Sequence, residues 1–118
     1  MTQHYIGSKQ IVAWEQEKDG NPGYAVKYPD GYISWSPKDV FEAAYLPLGH
    51  VDHLPAHQQR VIGEKVQLDD KIGRLTEFAQ PTNAIFNGLP VAEAGRLIHQ
   101  LAVMQEYSDV LGKRIAAF

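Results

Sequence analysis

The chain has 118 residues and a mass of 13.2 kDa, with 44% apolar and 21% charged residues and no cysteine. That balance excludes a disordered chain, a disulfide scaffold and thiolate chemistry. Eleven basic against fourteen acidic residues give a formal charge of -3, the wrong sign for gripping long nucleic acid by its phosphates.

In chain order, residues 1–47 carry five of the six tyrosines and both tryptophans, set in short alternating apolar runs that predict strands. Ile11-Val12-Ala13-Trp14 is one such run. Tyr24 to Tyr28 and Tyr32 to Trp35 are two more, joined by Pro29-Asp30-Gly31, a hairpin signal because proline presets φ and glycine accepts a positive one. Ser36-Pro37-Lys38-Asp39 then predicts a helix from about Pro37 to Tyr45, with Ser36 as N-cap and proline at N1. Val40, Phe41 and Ala44 are expected on its buried face.

Leu46 to Leu54 has linker punctuation. Beyond it the apolar period becomes helical. Leu54, Val61, Leu68, Ile72, Leu75 and Ala79 keep heptad spacing, with Gln58 and Lys65 at two seam positions. A helix starting at Pro55 is predicted to end near Phe78 to Gln80, before Pro81. A second begins near Pro90 and runs to the C-terminus, its seam being Leu97, Leu101, Met104, Leu111, Ile115 and Phe118, interrupted only by Ser108. Each helix spans roughly 37 Å at 1.5 Å per residue. The expected fold is α+β: a small antiparallel sheet domain with a short helix over residues 1–47, then a long two-helix hairpin domain over 48–118. Ile62, Val66, Ile98, Val103, Tyr107 and Val110 fall off the main seam, which predicts packing against another copy of the chain.

No run approaches the length of a transmembrane helix and no signal-peptide pattern opens the chain, so the expected location is the cytoplasm, with no membrane partner. His50, His53 and His57 have spacings that can present imidazoles to zinc or nickel, but Pro55 interrupts any helix through all three. The plainer reading is a polar linker, and no metal is expected. No P-loop, dinucleotide fingerprint or nucleophile elbow is present, and the Asp69-Asp70 pair reads as a solvated helix face. The residues able to hold a small phosphorylated ligand are Arg60, Lys65, Arg96, Lys113 and Arg114. Asn87 and Gln100 can read a base edge, and Phe86, Tyr107 or Trp14 can stack on a base.

Ile6-Gly7-Ser8-Lys9, Gly23 to Tyr28, and above all Tyr32-Ile33-Ser34-Trp35-Ser36-Pro37-Lys38 with Phe41 to Tyr45 resemble the phage N4 and phage Sf6 accessory protein family. Residues 54–118 resemble the helical-hairpin domain of phage anti-Thoeris and anti-CBASS sponge proteins, through Leu54 to Val61, Phe78, Phe86, Gln100, Met104, Tyr107, Leu111 and Arg114-Ile115. The resemblance implies a non-enzymatic protein without a cofactor. Such a protein sequesters the glyco-cyclic ADP-ribose messenger of Thoeris, and in some cases the cyclic di- or trinucleotides of CBASS, in the host bacterial cytoplasm. It implies a homo-oligomer, a dimer or a hexamer built from dimers, with pockets at subunit contacts. Carried onto this sequence, it marks Arg60 for phosphate, Phe86 and Asn87 in the hairpin loop, and Arg96 and Arg114 on the last helix, with Gln100 and Met104 expected to face inward. The alternative is an accessory adaptor that uses the hairpin to bind another protein.

Overall fold

The computed structural model describes residues 1–118. Its elements are β1 (Val12–Glu15), β2 (Gly23–Lys27), β3 (Ile33–Pro37), α1 (Lys38–Ala44), α2 (Ala56–Phe78), α3 (Ala84–Asn87) and α4 (Val91–Ala116). They fall into two compact units, Met1–Leu46 and Pro47–Phe118. The architecture is α+β, a three-stranded antiparallel sheet with a helix, and a long helical hairpin.

In the first unit the strands form a meander in the order β1-β2-β3. The β2–β3 turn closes as its composition predicts. The Tyr28 N–H donates to the Tyr32 carbonyl over 2.9 Å, and the Asp30 carboxylate accepts from the Tyr32 N–H over 2.9 Å. Gly31 takes the positive φ of 92° that a side chain would resist. The β1–β2 turn is built on Asp19-Gly20, with φ of 55° and 79°. Consecutive positive φ values are the mark of a primed hairpin turn, for which Asp-Gly is a favoured pair. Lys18 and Asn21 close it by reciprocal backbone bonds of 3.0 Å.

Strand alternation sorts the side chains onto two faces. Tyr24 faces α1, where its ring stacks on Phe41 at 4.1 Å between centroids, and Phe41 stacks on Tyr45 at 5.0 Å. The Tyr24 hydroxyl donates to Glu42 Oε2 over 2.8 Å. The predicted helix is therefore present but seated differently. Ser36 is paired with Tyr24 in the strand ladder and does not cap. The N-cap is Pro37, with no side-chain bond. Because the helix starts one residue later, on an extended strand, aromatic stacking anchors it, and Val40 and Ala44 are exposed rather than buried. Ala25 and Val26 form the core of this unit.

In the second unit α2 and α4 pack along the predicted seams. Val61 and Leu111 are buried, and Leu68, Ile72, Leu75, Leu97, Leu101, Met104 and Ile115 are half-buried beside them. Phe118 lies beyond the end of α4 and is exposed. At the start of α2, Gln59 Nε2 donates to the carbonyls of Val51 and Leu54 over 3.0 and 2.8 Å, fastening the preceding loop to the helix. The segment joining the long helices contains α3, a single turn without a sequence expectation. Asn83 caps it by accepting the Phe86 N–H over 2.9 Å, a role asparagine fills well. Phe86 meets Phe78 edge to face at 5.8 Å, which closes the loop end of the hairpin.

Candidate functional site

The hairpin is unequally finished. The inward seam is closed, whereas α4 presents a second, uncovered stripe. Steps of four, three, four, three and four residues place Arg96, Gln100, Val103, Tyr107, Val110 and Arg114 on one line of an unbroken helix. All six are exposed, and the three central ones retain 48%, 44% and 54% of their surface. The stripe is apolar in the middle, arginine-ended, and roughly 27 Å long at 1.5 Å per residue. Arginine supplies planar paired donors suited to a phosphate, and Tyr107 a ring with a polar tip.

The predicted site residues separate into four places. At the loop end, Arg96 Nε is held to Glu93 Oε1 at 2.8 Å. Phe86 is engaged with Phe78, and Asn87 donates through Nδ2 to the Pro81 carbonyl. Arg60 and Arg114 lie toward the opposite, open end. The cross-helix bond from Lys65 to Ser108 sets the pairing of α2 with α4, and Arg60 is five residues before Lys65 while Arg114 is six beyond Ser108. Both arginines are exposed and neither forms an ion pair. Gln100 lies between the two ends, outward, with Nε2 3.7 Å from Met104 Sδ. Only Met104 occupies the inward position expected of both, because the one-stripe spacing that places Arg96 outside places Gln100 there too. Trp14 belongs to the first unit.

Lys65, expected among the phosphate donors, is engaged within the hairpin. Its Nζ donates to Asp69 Oδ2 and to Ser108 Oγ, each over 2.8 Å, and Ser108 Oγ donates to Asp69 Oδ1 over 2.5 Å. The Lys65 and Ser108 bonds hold the Asp69 carboxyl below its ordinary value of 3.8. His50, His53 and His57 are exposed, and nowhere do three His, Cys, Asp or Glu side chains converge as a metal ligand set would. No helix is long and apolar enough to cross a membrane.

Comparison with curated proteins and with solved structures finds no match. A family model does match: that of Sequestin, over residues 55–117. The matched stretch takes in α2, α3 and α4 whole and more than half of the chain, under a name that denotes holding a ligand rather than converting it. The chain belongs to the Sequestin family.

Proposed function

We propose that the chain is a phage anti-defence protein that sequesters a nucleotide second messenger, glyco-cyclic ADP-ribose or a cyclic di- or trinucleotide, in the host bacterial cytoplasm without degrading it. The observation that carries this reading is the α4 stripe, with Arg96 and Arg114 at its ends and Val103, Tyr107 and Val110 uncovered between them. Family membership supports it from a separate direction.

The separation of the arginines gives the reading its form. At roughly 27 Å, Arg96 and Arg114 of one chain are too far apart to share one small ligand. Two copies of α4 packed antiparallel across Tyr107 bury the apolar middle and bring each Arg96 beside the partner copy's arginine-bearing end. That arrangement yields two equivalent anion sites per pair, as a two-fold interface requires. Gathering arginines at a contact is unfavourable by itself and favourable with a phosphorylated ligand between them. The homo-oligomer, a dimer or a hexamer built from dimers, is therefore part of the binding site in this proposal. Such a site needs no general base: it holds its ligand by preorganised donors and stacking, and nanomolar holding requires about 12 kcal/mol.

Native mass spectrometry of the purified chain, with and without glyco-cyclic ADP-ribose and a panel of cyclic di- and trinucleotides, tests the proposal. The expected result is an oligomer carrying messenger in a fixed ratio to subunits, with the messenger recovered unchanged after heat denaturation. A monomer that retains none of them, or release of cleaved product, overturns it. Copurification of a protein partner on the hairpin, with no messenger bound, supports the adaptor reading instead.

A further inference from the structure

The sheet of the first unit has a face that neither α1 nor the family match accounts for. Alternation places Val12, Trp14, Gly23, Ala25, Lys27, Ile33 and Trp35 on it, opposite Tyr24 and α1. Trp14 and Trp35 are both register partners of Ala25, so the two indole-bearing positions flank one small residue across the sheet. Strand spacing sets their backbones about 10 Å apart.

The two indoles are fastened through the same residue. Trp35 Nε1 donates to the Gln16 carbonyl over 2.7 Å, and Trp14 Nε1 donates to Gln16 Oε1 over 3.1 Å. The Trp35 ring lies over Gly23, where a Cβ would sit 2.5 Å from the Ser36 carbonyl oxygen and closer still to the indole. Glycine at 23 is therefore what lets Trp35 lie down on the sheet. With both N–H groups already spent, these indoles offer ring faces rather than donors.

Beside them is an open surface recess of about 490 Å³ lined by Gln16, Lys18, Ala25, Tyr32, Ile33, Ser34 and Trp35. Its wall contains a cation and no acid, in a chain of net charge -3. Lys18 Nζ stands 5.7 Å from the Trp35 ring centroid, and Lys27 is the only charged residue on the paired positions of this face.

We propose that this face is a second ligand site, for a planar aromatic ring bearing an anionic group: the ring stacks on Trp35 beside Trp14, and Lys18 holds the anion. It lies wholly within the first unit and is independent of the hairpin reading. Adenosine monophosphate supplies both features, adenosine the ring alone, and inorganic phosphate the anion alone.

The chain has two tryptophans, both at this site, so intrinsic fluorescence of the full chain reads it without interference from the hairpin. The expected result is saturable quenching by adenosine monophosphate, about fivefold weaker binding of adenosine, and none of the quenching with phosphate. Lys18→Gln, an exposed substitution, is expected to reduce adenosine monophosphate to the affinity of adenosine and to leave adenosine unchanged. Trp14→Leu is expected to weaken both, read from the remaining Trp35. Absence of saturable quenching in the folded chain, equal affinity for the nucleotide and the nucleoside, indifference to Lys18→Gln, or tighter quenching by a proline-rich peptide than by the nucleotide overturns the proposal.

Discussion

Lys65 and Ser108, polar interruptions in the facing seams of α2 and α4, are each other's partners: Lys65 Nζ donates to Ser108 Oγ over 2.8 Å. Asp69 completes the arrangement by accepting from both, so no polar group in this part of the seam is left unpaired. An apolar seam repeating every three to four residues can slide by a turn and still bury its leucines. Sliding this one strands a buried hydroxyl and breaks its bonds to two charged groups, an expensive loss. The cluster thereby fixes which turn of α2 faces which turn of α4.

Removing the hydroxyl tests this directly. Ser108→Ala leaves the Lys65–Asp69 pair in place and is expected to lower stability by about 1 kcal/mol. Urea denaturation followed by helical circular dichroism measures it, and a Ser108→Ala, Asp69→Asn double-mutant cycle is expected to show a coupling of at least about 0.5 kcal/mol. Additive effects would deny the register role.

Acid is expected to act on the same cluster. The folded Asp69 carboxyl lies below its ordinary value of 3.8, so the unfolded chain takes up its proton first as pH falls. The stabilisation is complete above pH 4 or so and is lost as pH drops through the lowered folded value. Urea midpoints measured from pH 6 down to pH 2 are expected to show a shallower decline in Asp69→Asn than in the wild type. In the first unit the sign is reversed. The bond donated by Tyr24 to Glu42 raises the phenol above 10.0, so its contribution is intact below that value and disappears as pH rises through the folded one. Ultraviolet titration of Tyr24→Phe is expected to lose one phenol that ionises above 10.0.

Gly23→Ala is expected to be among the most damaging single changes in the first unit. The new methyl meets the Trp35 indole and the Ser36 carbonyl oxygen. The ring can swing away, but the strand backbone cannot. Overpacking of this kind costs about 1–3 kcal/mol, and near-ultraviolet circular dichroism should lose its tryptophan bands while the helical signal of the second unit persists.

The proposed α4 contact predicts a contrast between two kinds of substitution. Tyr107→Glu puts charge into the apolar middle of the stripe and is expected to yield monomer in sedimentation velocity. Arg96→Glu and Arg114→Glu should leave the oligomer assembled and each, alone, reduce messenger binding by at least about tenfold, the effect of losing one charge-assisted contact. Retention of binding in either variant would detach that arginine from the site.

Where sequence and structure agree, a local rule and a long-range demand coincide. The Pro29-Asp30-Gly31 turn and the seams running from Val61 to Leu75 and from Leu97 to Ile115 are of this kind, each position doing in the fold what its spacing says. Disagreement comes where a residue has two local roles. Ser36 is a good cap, yet it is also a strand residue opposite Tyr24, and ladder bonds prevail over the cap. Asp19-Gly20 carried a turn signal in plain view. The α4 stripe was likewise readable, but only once the helix is known to run unbroken from Val91 to Ala116, since a single kink would scatter its six residues. The engagement of Phe86 by Phe78 was not readable, because it depends on the path of α3 rather than on any period.

Every strand in the meander pairs with its neighbour in sequence, and the second unit is two consecutive long helices folded back on each other. Few distant parts of the chain have to find one another, and chains of that kind fold quickly. A protein that acts by occupancy rather than turnover neutralises no more ligand than it has copies. Under the proposed sequestration, rapid folding of each copy leaves assembly of the homo-oligomer as the step that sets how soon the site is ready.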